Sequence, residues 1–199
     1  MLKVSVVIPA YNEEKYIKNC IESLLSQDYE GEYEIIVVDN GSTDRTLEIL
    51  KNYPIKVIIE PRKGIAFARQ TGFINASGDI ILSTDADTIV PKNWIRKYVE
   101  EFEKDKELVG INGPIEFKEI FNFTSLIFKI FTPFILKIEK LIRGNVSFTG
   151  ANFAVKKDAF LKIGGFNTNF ETGEDIDLGN RLKKSWENKN NKQCSNNIK

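Results

Sequence analysis

The sequence predicts a doubly wound α/β fold, and two observations lead to that prediction. Short, β-branched apolar segments alternate four times with longer segments whose apolar residues recur at helical spacing. A polar cluster follows each short segment, where the loops of a parallel sheet gather. The chain has 199 residues, 42% of them hydrophobic, which suits one domain that buries roughly 70% of its unfolded surface.

The first two strand and helix pairs lie in the first quarter of the chain. Residues 3–9 form a β-branched run with almost no polar interruption, as in a strand covered on both faces. Residues 13–27 place their apolar side chains on one helical stripe. Residues 34–39 then repeat the buried strand, and residues 43–53 repeat the helix.

The third and fourth pairs follow the same pattern. Residues 56–60 predict a strand, and residues 65–76 predict the helix after it. Residues 79–84 predict the fourth strand, and residues 91–104 predict a helix with proline in its first turn. Four alternations imply right-handed crossovers, with helices layered on the sheet.

The second half of the chain changes character. Residues 120–138 are mostly apolar and rich in phenylalanine, but two lysines and a proline make them a poor transmembrane span. A core helix and a helix in peripheral contact with a membrane are both open interpretations. We expect a short strand and a helix over 149–166, another helix over 173–184, and a polar, disordered tail over 185–199.

The complete absence of histidine removes several kinds of active site. Catalytic triads that contain histidine, HExxH metal sites and histidine-bound zinc are all excluded. Acid and base chemistry must then fall to carboxylates, lysine, tyrosine or cysteine, and any metal must accept mainly oxygen ligands. The formal net charge is zero and residues 1–182 are mildly acidic, which argues against a nucleic-acid partner.

Cysteine usage and the N-terminus indicate the compartment. Cys20 and Cys194 lie far apart and form no CxxC pair, so a reducing environment is expected. The apolar stretch at the N-terminus is too short for a signal peptide and fits a first strand better. We therefore expect a cytoplasmic protein, with a peripheral position on the inner membrane face left open.

The strongest local signal for chemistry is the run Asp85, Ala86 and Asp87 after the fourth strand. Two carboxylates spaced in this way near a strand end can approach one bound group together. Oxygen ligands suit Mg²⁺ or Mn²⁺, and these ions suit phosphate oxygens. Two solvated turn aspartates are the structural alternative.

Further candidates follow the first and second strands. Asp39 ends a buried strand, where its carboxylate can accept hydrogen bonds from a base N–H or from sugar hydroxyls. Tyr11 can stack on a flat ring, while Asn12 or Glu13 begins the next helix. Capping alone would explain Asn12.

Charged residues in two later segments complete the candidate set. Lys63 and Arg69 can neutralise a diphosphate, although each alone would pass for an ordinary surface charge. Glu174, Asp175 and Asp177 surround one apolar residue. If a proton is to be removed from a sugar hydroxyl, the base in a chain without histidine would be a positioned carboxylate. Acids at a helix N-terminus also serve the helix dipole, so both interpretations stay open.

Six segments, in this order, resemble the family 2 glycosyltransferases with the GT-A fold. They are PAYNEE, DNGSTD, KGIAFARQTG, ASGDIILSTDADT, TGANFAVKKDAF and GGFNTNFETGEDIDLGNRL, spread over residues 1–182. The resemblance implies a GT-A-type, Rossmann-like doubly wound mixed sheet with helices on both faces. It also implies one domain over 1–184, with a nucleotide-binding half at 1–113 and an acceptor half at 114–184.

The resemblance further implies roles for the donor-side residues. Tyr11 and Asp39 would hold the base, typically uracil, and Arg69 would lie beside the base or the diphosphate. Asp85 would contact the ribose, and Asp87 together with Asp85 would bind a Mn²⁺ or Mg²⁺ cofactor. The implied nucleotide-binding set is Pro9, Ala10, Tyr11, Glu13, Asp39, Lys63, Arg69, Asp85 and Ala86.

On the acceptor side, the resemblance implies a sugar and acceptor pocket lined by Gly150, Ala151 and Asn152, with Asp175 as catalytic base and Glu174 beside it. The implied activity is metal-dependent, inverting transfer of a sugar from a nucleotide-sugar donor, typically UDP-linked. The acceptor would be a hydroxyl or a lipid phosphate, in glycan or glycolipid synthesis.

Two alternatives remain. Relatives often continue with further elements, a Gln-x-x-Arg-Trp motif or a metal-binding histidine, whereas this chain runs into an asparagine-rich end. A truncated, non-catalytic nucleotide-sugar-binding domain that acts with a partner is therefore one alternative. A nucleotidyltransferase is the other, but the acidic loop after the first strand does not suit a triphosphate.

Overall fold

A computed structural model describes the backbone of residues 1–114, 148 and 150–196, and the side chains of these residues as far as 186. Six strands and six helices lie in this part of the chain. Their bounds are β1 Val4–Ala10, α1 Ile17–Leu25, β2 Tyr33–Asp39, α2 Thr46–Leu50, β3 Lys56–Ile59, α3 Ile65–Asn75, β4 Ile80–Thr84, α4 Trp94–Lys104, β5 Gly110–Asn112, β6 Asn152–Lys156, α5 Lys157–Lys162 and α6 Glu174–Asn196.

The strands form one mixed sheet in the order β3-β2-β1-β4-β6-β5. β1 pairs in parallel with β2 and β4, and β2 pairs in parallel with β3. β6 runs antiparallel to both β4 and β5. The strand order reverses at β1, which leaves a crevice at the carboxyl ends of β1 and β4. The predicted doubly wound mixed sheet is confirmed.

Apolar layers cover both faces of the sheet. Val6 and Ile8 of β1 belong to a core with α1 and α4, whereas Val7 faces a second core with α3, α5 and α6. In the second core Phe73 of α3 stacks on Phe153 of β6, with ring centroids 5.8 Å apart. β1 is buried on both sides, which explains why Ser5 is the one polar residue in this strand.

Three helices are shorter than their apolar periodicity predicts. α1 begins at Ile17 because the preceding residues form a turn, in which the Glu13 N–H donates to the Thr46 hydroxyl at 2.8 Å. α2 begins only at Thr46, since the N–H of Thr43 donates to the Asn12 side chain. α4 likewise starts after a turn at residues 91–93. Bonds between loops thus replace the first helical turns.

The end of the described chain differs from the prediction. α6 continues to Asn196, so a helix occupies residues 185–196 where a disordered tail is expected. Leu178 and Leu182 anchor this helix in the second core, and an anchored helix extends at little cost per residue. The segment 120–138 lies outside the described residues. Of the helices in the described ranges, none is long and apolar enough to cross a membrane.

Candidate active site

Four segments meet at the carboxyl edge of the sheet. Ala10 pairs with Asp39, so the loops after β1 and β2 leave the sheet side by side. Thr84 pairs with Asn152, so the antiparallel β6 enters the sheet beside the point where β4 ends. Because of this reversal, Gly150 lies at the same edge as the acidic loop after β4.

Hydrogen bonds join the loop after β1 to the loop after β2. Asn12 adopts φ 58°, a left-handed conformation that asparagine tolerates better than most residues. Its N–H donates to the Ser42 hydroxyl at 2.9 Å, and its Oδ1 accepts the N–H of Thr43 at 2.7 Å. Asn12 therefore joins two loops, beyond the helix-capping role that its position suggests.

Asp39 is fully buried at the end of β2. Its Oδ2 accepts the N–H groups of Gly41 at 3.0 Å and Ser42 at 3.1 Å. Its Oδ1 has no hydrogen-bond partner within the described residues. A buried acceptor without a donor is costly, and a ligand N–H or O–H would satisfy it. The neighbouring Pro9 and Ala10 are also buried and contribute backbone to this edge.

The loop after β3 is fixed to the loop after β2 by Asn40. The Asn40 Nδ2 donates to the carbonyl oxygens of Glu60 at 2.9 Å and Arg62 at 2.7 Å. Its Oδ1 accepts the N–H of Gly64 at 2.8 Å, directly before α3. All of the polar atoms of this side chain serve the framework. Sequence reasoning missed Asn40, because a loop asparagine carries no signal for such distant partners.

Lys63 approaches Tyr11 across the same edge. Its ammonium group donates to the carbonyl oxygens of Asn40 at 3.1 Å and Gly41 at 3.0 Å. The ammonium nitrogen also lies 4.4 Å from the centroid of the Tyr11 ring, which is 51% exposed. These contacts support the ring of Tyr11. Diphosphate binding by Lys63 stays a prediction.

Arg69 of α3 is buried between two carboxylates. Its Nη2 donates to Asp85 Oδ1 at 2.7 Å, and its Nη1 forms a very short contact with Glu174. The exposed fractions of Arg69 and Glu174 are 3% and 2%. The structure therefore brings Arg69, Asp85 and Glu174 together, although they lie in three separate segments of the chain. Contact of Arg69 with a base or diphosphate stays a prediction.

Asp175 lies in the first turn of α6, beside the segment that enters β6. Its Oδ2 accepts the N–H of Gly150 at 2.5 Å, and its Oδ1 accepts the N–H of Ile176 at 2.8 Å. The side chain is only partly buried. A carboxylate at a helix N-terminus that is fixed by backbone donors can accept a proton in a defined direction.

Negative charge accumulates around Asp87. Burial raises the pKa of Asp85, the charges of Asp87 and Asp175 add to that shift, and Arg69 opposes it. Burial also raises the pKa of Glu13, with Asp87 as its largest charged contributor. Asp87 itself is exposed. Such mutual repulsion among oxygen ligands suits a bound cation.

A buried thiol lies under this acidic loop. The Cys20 Sγ donates to the backbone oxygen of Asp85 at 3.6 Å. Burial, helped by the charge of Asp87, raises the pKa of the thiol to about 12, so it stays protonated. In the described part of the chain, no three Asp, Glu or Cys side chains are grouped closely enough to hold a metal alone. A metal at this edge would need oxygen ligands beyond those that the described side chains offer.

Asn152 is committed to the framework. Its Oδ1 accepts the indole N–H of Trp94 at 2.9 Å and the hydroxyl of Tyr98 at 2.8 Å. Its Nδ2 donates to the carbonyl of Pro114 at 2.6 Å. The neighbouring Ala151 is partly buried. A place for these residues in a sugar pocket stays a prediction.

Comparison with known proteins gives a consistent family assignment. The model of "Glycosyl transferase family 2" matches residues 5–164. A Methanococcus voltae protein, dolichyl N-acetyl-alpha-D-glucosaminyl phosphate 3-beta-D-2,3-diacetamido-2,3-dideoxy-beta-D-glucuronosyltransferase, is 28% identical over 209 residues, which cover 91% of this chain and 61% of that relative. The chain therefore spans about three fifths of the length of this curated relative.

Two solved structures share the fold. The mannosyltransferase PcManGT from Pyrobaculum calidifontis, in complex with GDP-Man and Mn²⁺, has a TM-score of 0.71 at 23% identity, with 87% of this chain and 50% of that chain covered. S. aureus TarS in complex with UDP-GlcNAc has a TM-score of 0.67 at 22% identity, with 90% and 53% covered.

Proposed function

Because the chain belongs to glycosyl transferase family 2, we propose that it transfers a sugar from a nucleotide-sugar donor to an acceptor, with inversion at the anomeric carbon. One observation carries the proposal. Asp85, on the side proposed for the donor, and Asp175, proposed as the base, meet at one sheet edge, although 90 residues separate them in sequence. Such an arrangement can hold a donor diphosphate and an acceptor hydroxyl together.

Asp39 and Tyr11 are the proposed contacts of the base. The Oδ1 of Asp39, which has no partner among the described residues, can accept an N–H, which uracil offers, and the exposed ring of Tyr11 can stack on the base. Lys63 occupies one side of that ring and holds it in place. The binding of UDP-GlcNAc by the structurally similar TarS supports a UDP-linked donor.

Asp87 and Asp85 are the proposed ligands of Mn²⁺ or Mg²⁺. Their oxygens fit a hard cation, and the negative charges of Asp87 and Asp175, which add to the burial that raises the pKa of Asp85, are charges that a cation would neutralise. Diphosphate oxygens and water would supply the other ligands, since the chain has no histidine. A bound ion of this kind stabilises the negative charge of a leaving diphosphate. The Mn²⁺ in the PcManGT complex supports this assignment.

Asp175 is the proposed general base. Its Oδ2, fixed by the Gly150 N–H, would take the proton of the acceptor hydroxyl while the hydroxyl oxygen bonds to the anomeric carbon. The bond from that carbon to the diphosphate breaks on the opposite face, so the configuration inverts. A phosphate acceptor, already ionised, would need no such proton transfer.

The acceptor is proposed to be a glycan or a lipid-linked phosphate. The name of the Methanococcus voltae relative specifies a dolichyl N-acetyl-alpha-D-glucosaminyl phosphate acceptor, a lipid-linked sugar, which supports a lipid-linked acceptor. The phenylalanine-rich sequence of residues 120–138 supports peripheral contact with a membrane.

Co-sedimentation with anionic vesicles tests this membrane contact, and it should weaken when Phe128 and Phe131 are both changed to serine. Unchanged sedimentation would contradict membrane contact through this segment.

Donor stabilisation and turnover together test the proposed activity. UDP-sugars should raise the melting temperature more in the presence of Mn²⁺ than in its absence, and GDP- and dTDP-sugars serve as comparisons. Asp87→Ala should abolish the Mn²⁺-dependent part of the shift and the hydrolysis of the donor. Asp158→Asn, on an exposed carboxylate of α5, is the matched control that should behave like the wild type.

Asp175→Asn separates binding from chemistry. The variant should bind UDP with Mn²⁺ as the wild type does but lose transfer, because only the proton acceptor is removed. Wild-type turnover that persists in EDTA would contradict the metal assignment. A wild type that binds UDP-sugars without turnover would support the non-catalytic alternative instead. Absence of stabilisation by every nucleotide sugar would contradict both.

A further inference from the structure

We propose that Arg69 and Glu174 are positioning residues that set the geometry of Asp85 and Asp175, and that neither contacts the donor. The proposal rests on the proposed function, since it concerns the arrangement of the same carboxylates. It departs from the roles that the family resemblance implies, in which Arg69 lies beside the base or the diphosphate.

Burial is the first argument. Arg69 and Glu174 are exposed by only 3% and 2%, and each terminal nitrogen of the guanidinium already has a carboxylate partner. For a diphosphate to bind Arg69, it would have to reach a guanidinium that is almost fully buried and compete with two carboxylates that already bind it. Loss of Arg69 would leave the charge of Glu174 buried without a partner, which is strongly unfavourable. Glu174 is likewise too buried to reach an acceptor.

Connectivity is the second argument. One guanidinium binds Asp85, which follows β4, and Glu174, which begins α6. The planar, forked shape of arginine fixes the angle between its two partners, which an ammonium group cannot do. Arg69 therefore sets the position of the acidic loop relative to the first turn of α6, the turn that also contains Asp175.

Gly150 provides the third argument. A methyl group at residue 150 would overlap the guanidinium of Arg69, so the Gly150 backbone lies directly against that group. The N–H of the same glycine donates to Asp175 Oδ2. The guanidinium thus supports Asp175 by two routes, through Glu174 in α6 and through Gly150.

Two substitutions test the positioning role: Arg69→Lys keeps the charge but changes the shape, and Glu174→Gln keeps the shape but removes the charge. Arg69→Lys and Glu174→Gln should each lower kcat for transfer by about 10–100-fold, with the Kd for UDP and Mn²⁺ within about twofold of the wild type. Arg69→Lys should retain more activity than Arg69→Met. Because the two residues act as a unit, the double variant should lose little more than either single variant.

Gly150→Ala alters the packing without changing any charge. The added methyl group should displace the guanidinium and lower kcat in the same range, again with UDP binding retained. The matched control for Arg69→Lys is Arg96→Lys. Arg96 also bridges two carboxylates, Asp28 and Glu100, but on the exposed surface of α4. This control should leave kcat unchanged.

Amide hydrogen exchange gives a readout that does not require turnover. In Arg69→Lys and Glu174→Gln the Gly150 amide should exchange at least about tenfold faster than in the wild type, because its acceptor on Asp175 has shifted. The Ala154 amide in the middle of β6 should be unaffected. An unchanged Gly150 amide would overturn the proposal even if the wild type were inactive.

Two further outcomes would also contradict the positioning role. If Arg69→Lys weakens UDP binding by the same factor as it lowers kcat/KM, Arg69 is a donor ligand. If Glu174→Gln retains full kcat, Glu174 does not position the base. The proposed function fails differently, through a wild type that neither binds nor turns over nucleotide sugars.

Discussion

The side chain of Asn12 accepts the backbone N–H of Thr43 at 2.7 Å, which joins the loops that follow the first two strands. The two residues are 31 positions apart in sequence. Asn12 forms this bond from a left-handed backbone conformation, with φ 58°. Asn12 therefore supplies both the turn after β1 and the hydrogen bond that fixes this turn to the loop after β2, close to Tyr11 and Asp39.

Asn12→Ala should destabilise the protein more than Asn12→Gly. Both variants lose the bond to Thr43, at a cost of about 1 kcal/mol, but only alanine adds about 1–2 kcal/mol of left-handed backbone strain. Urea unfolding of the two variants and the wild type measures the difference. An alanine variant as stable as the glycine variant would contradict the conformational argument.

Gly72→Ala should destabilise the protein, although the same change in most helices is stabilising by about 1 kcal/mol. A methyl group here would overlap Val7 of β1 and lie 3.0 Å from Val38 Cγ2 of β2, where α3 crosses the sheet. Overpacking of this kind costs about 1–3 kcal/mol. Thermal unfolding provides the measurement.

Val7→Ala provides the control for this steric argument. The double variant Gly72→Ala, Val7→Ala should be destabilised by less than the sum of the two single destabilisations, because the smaller side chain at residue 7 makes room for the new methyl group. Strict additivity would show that the helix does not press on the sheet at this point.

The spacing of apolar residues in the sequence predicts the strands and helices that are buried along their own length. β1 and β2 are buried on both faces, and α3 carries its own apolar surface, so periodicity locates them to within one or two residues. β5 escapes prediction because it has only three residues and depends on pairing with β6.

The candidate site was predictable in its residue types but only in part in its contacts. The motifs indicate Asp39, Asp85 and Asp175, because polar clusters follow the strands and helix starts are marked by acids. The burial of Arg69 between two carboxylates was not predictable, since its partners are 16 and 105 residues away. Contacts over such distances depend on the sheet order, which periodicity does not report.

Glu60 should make stability depend on pH in the acidic range. The Arg62 guanidinium, at 2.7 and 2.8 Å, and the Thr71 hydroxyl lower the pKa of this buried carboxyl to about 2 from its ordinary 4.5. Because the folded pKa lies below the unfolded one, the stabilisation is complete above about pH 4.5 and is lost as pH falls towards about 2.

Comparison of the wild type with Glu60→Gln checks this dependence. The free energy of unfolding of the wild type should exceed that of the variant near neutral pH, and the difference should shrink as the pH falls through the same window. Urea titrations at several pH values measure it. A difference that stays constant with pH would mean that the ionised form of Glu60 makes no special contribution.

Asn152→Ala should lower stability rather than donor affinity. The change leaves the indole N–H of Trp94 and the hydroxyl of Tyr98 without their shared acceptor, at a cost of about 1–3 kcal/mol for each orphaned group. Burial raises the pKa of Tyr98, so its hydroxyl remains a donor that needs a partner.

Adding Tyr98→Phe to Asn152→Ala removes one of the two orphaned groups, so the double variant should be destabilised by less than the two single effects combined. Urea unfolding measures the stability of each variant, and calorimetry measures its affinity for UDP-sugar in the presence of Mn²⁺. A stable Asn152→Ala variant with weakened binding or altered sugar preference would instead support the sugar-pocket role that the family resemblance implies.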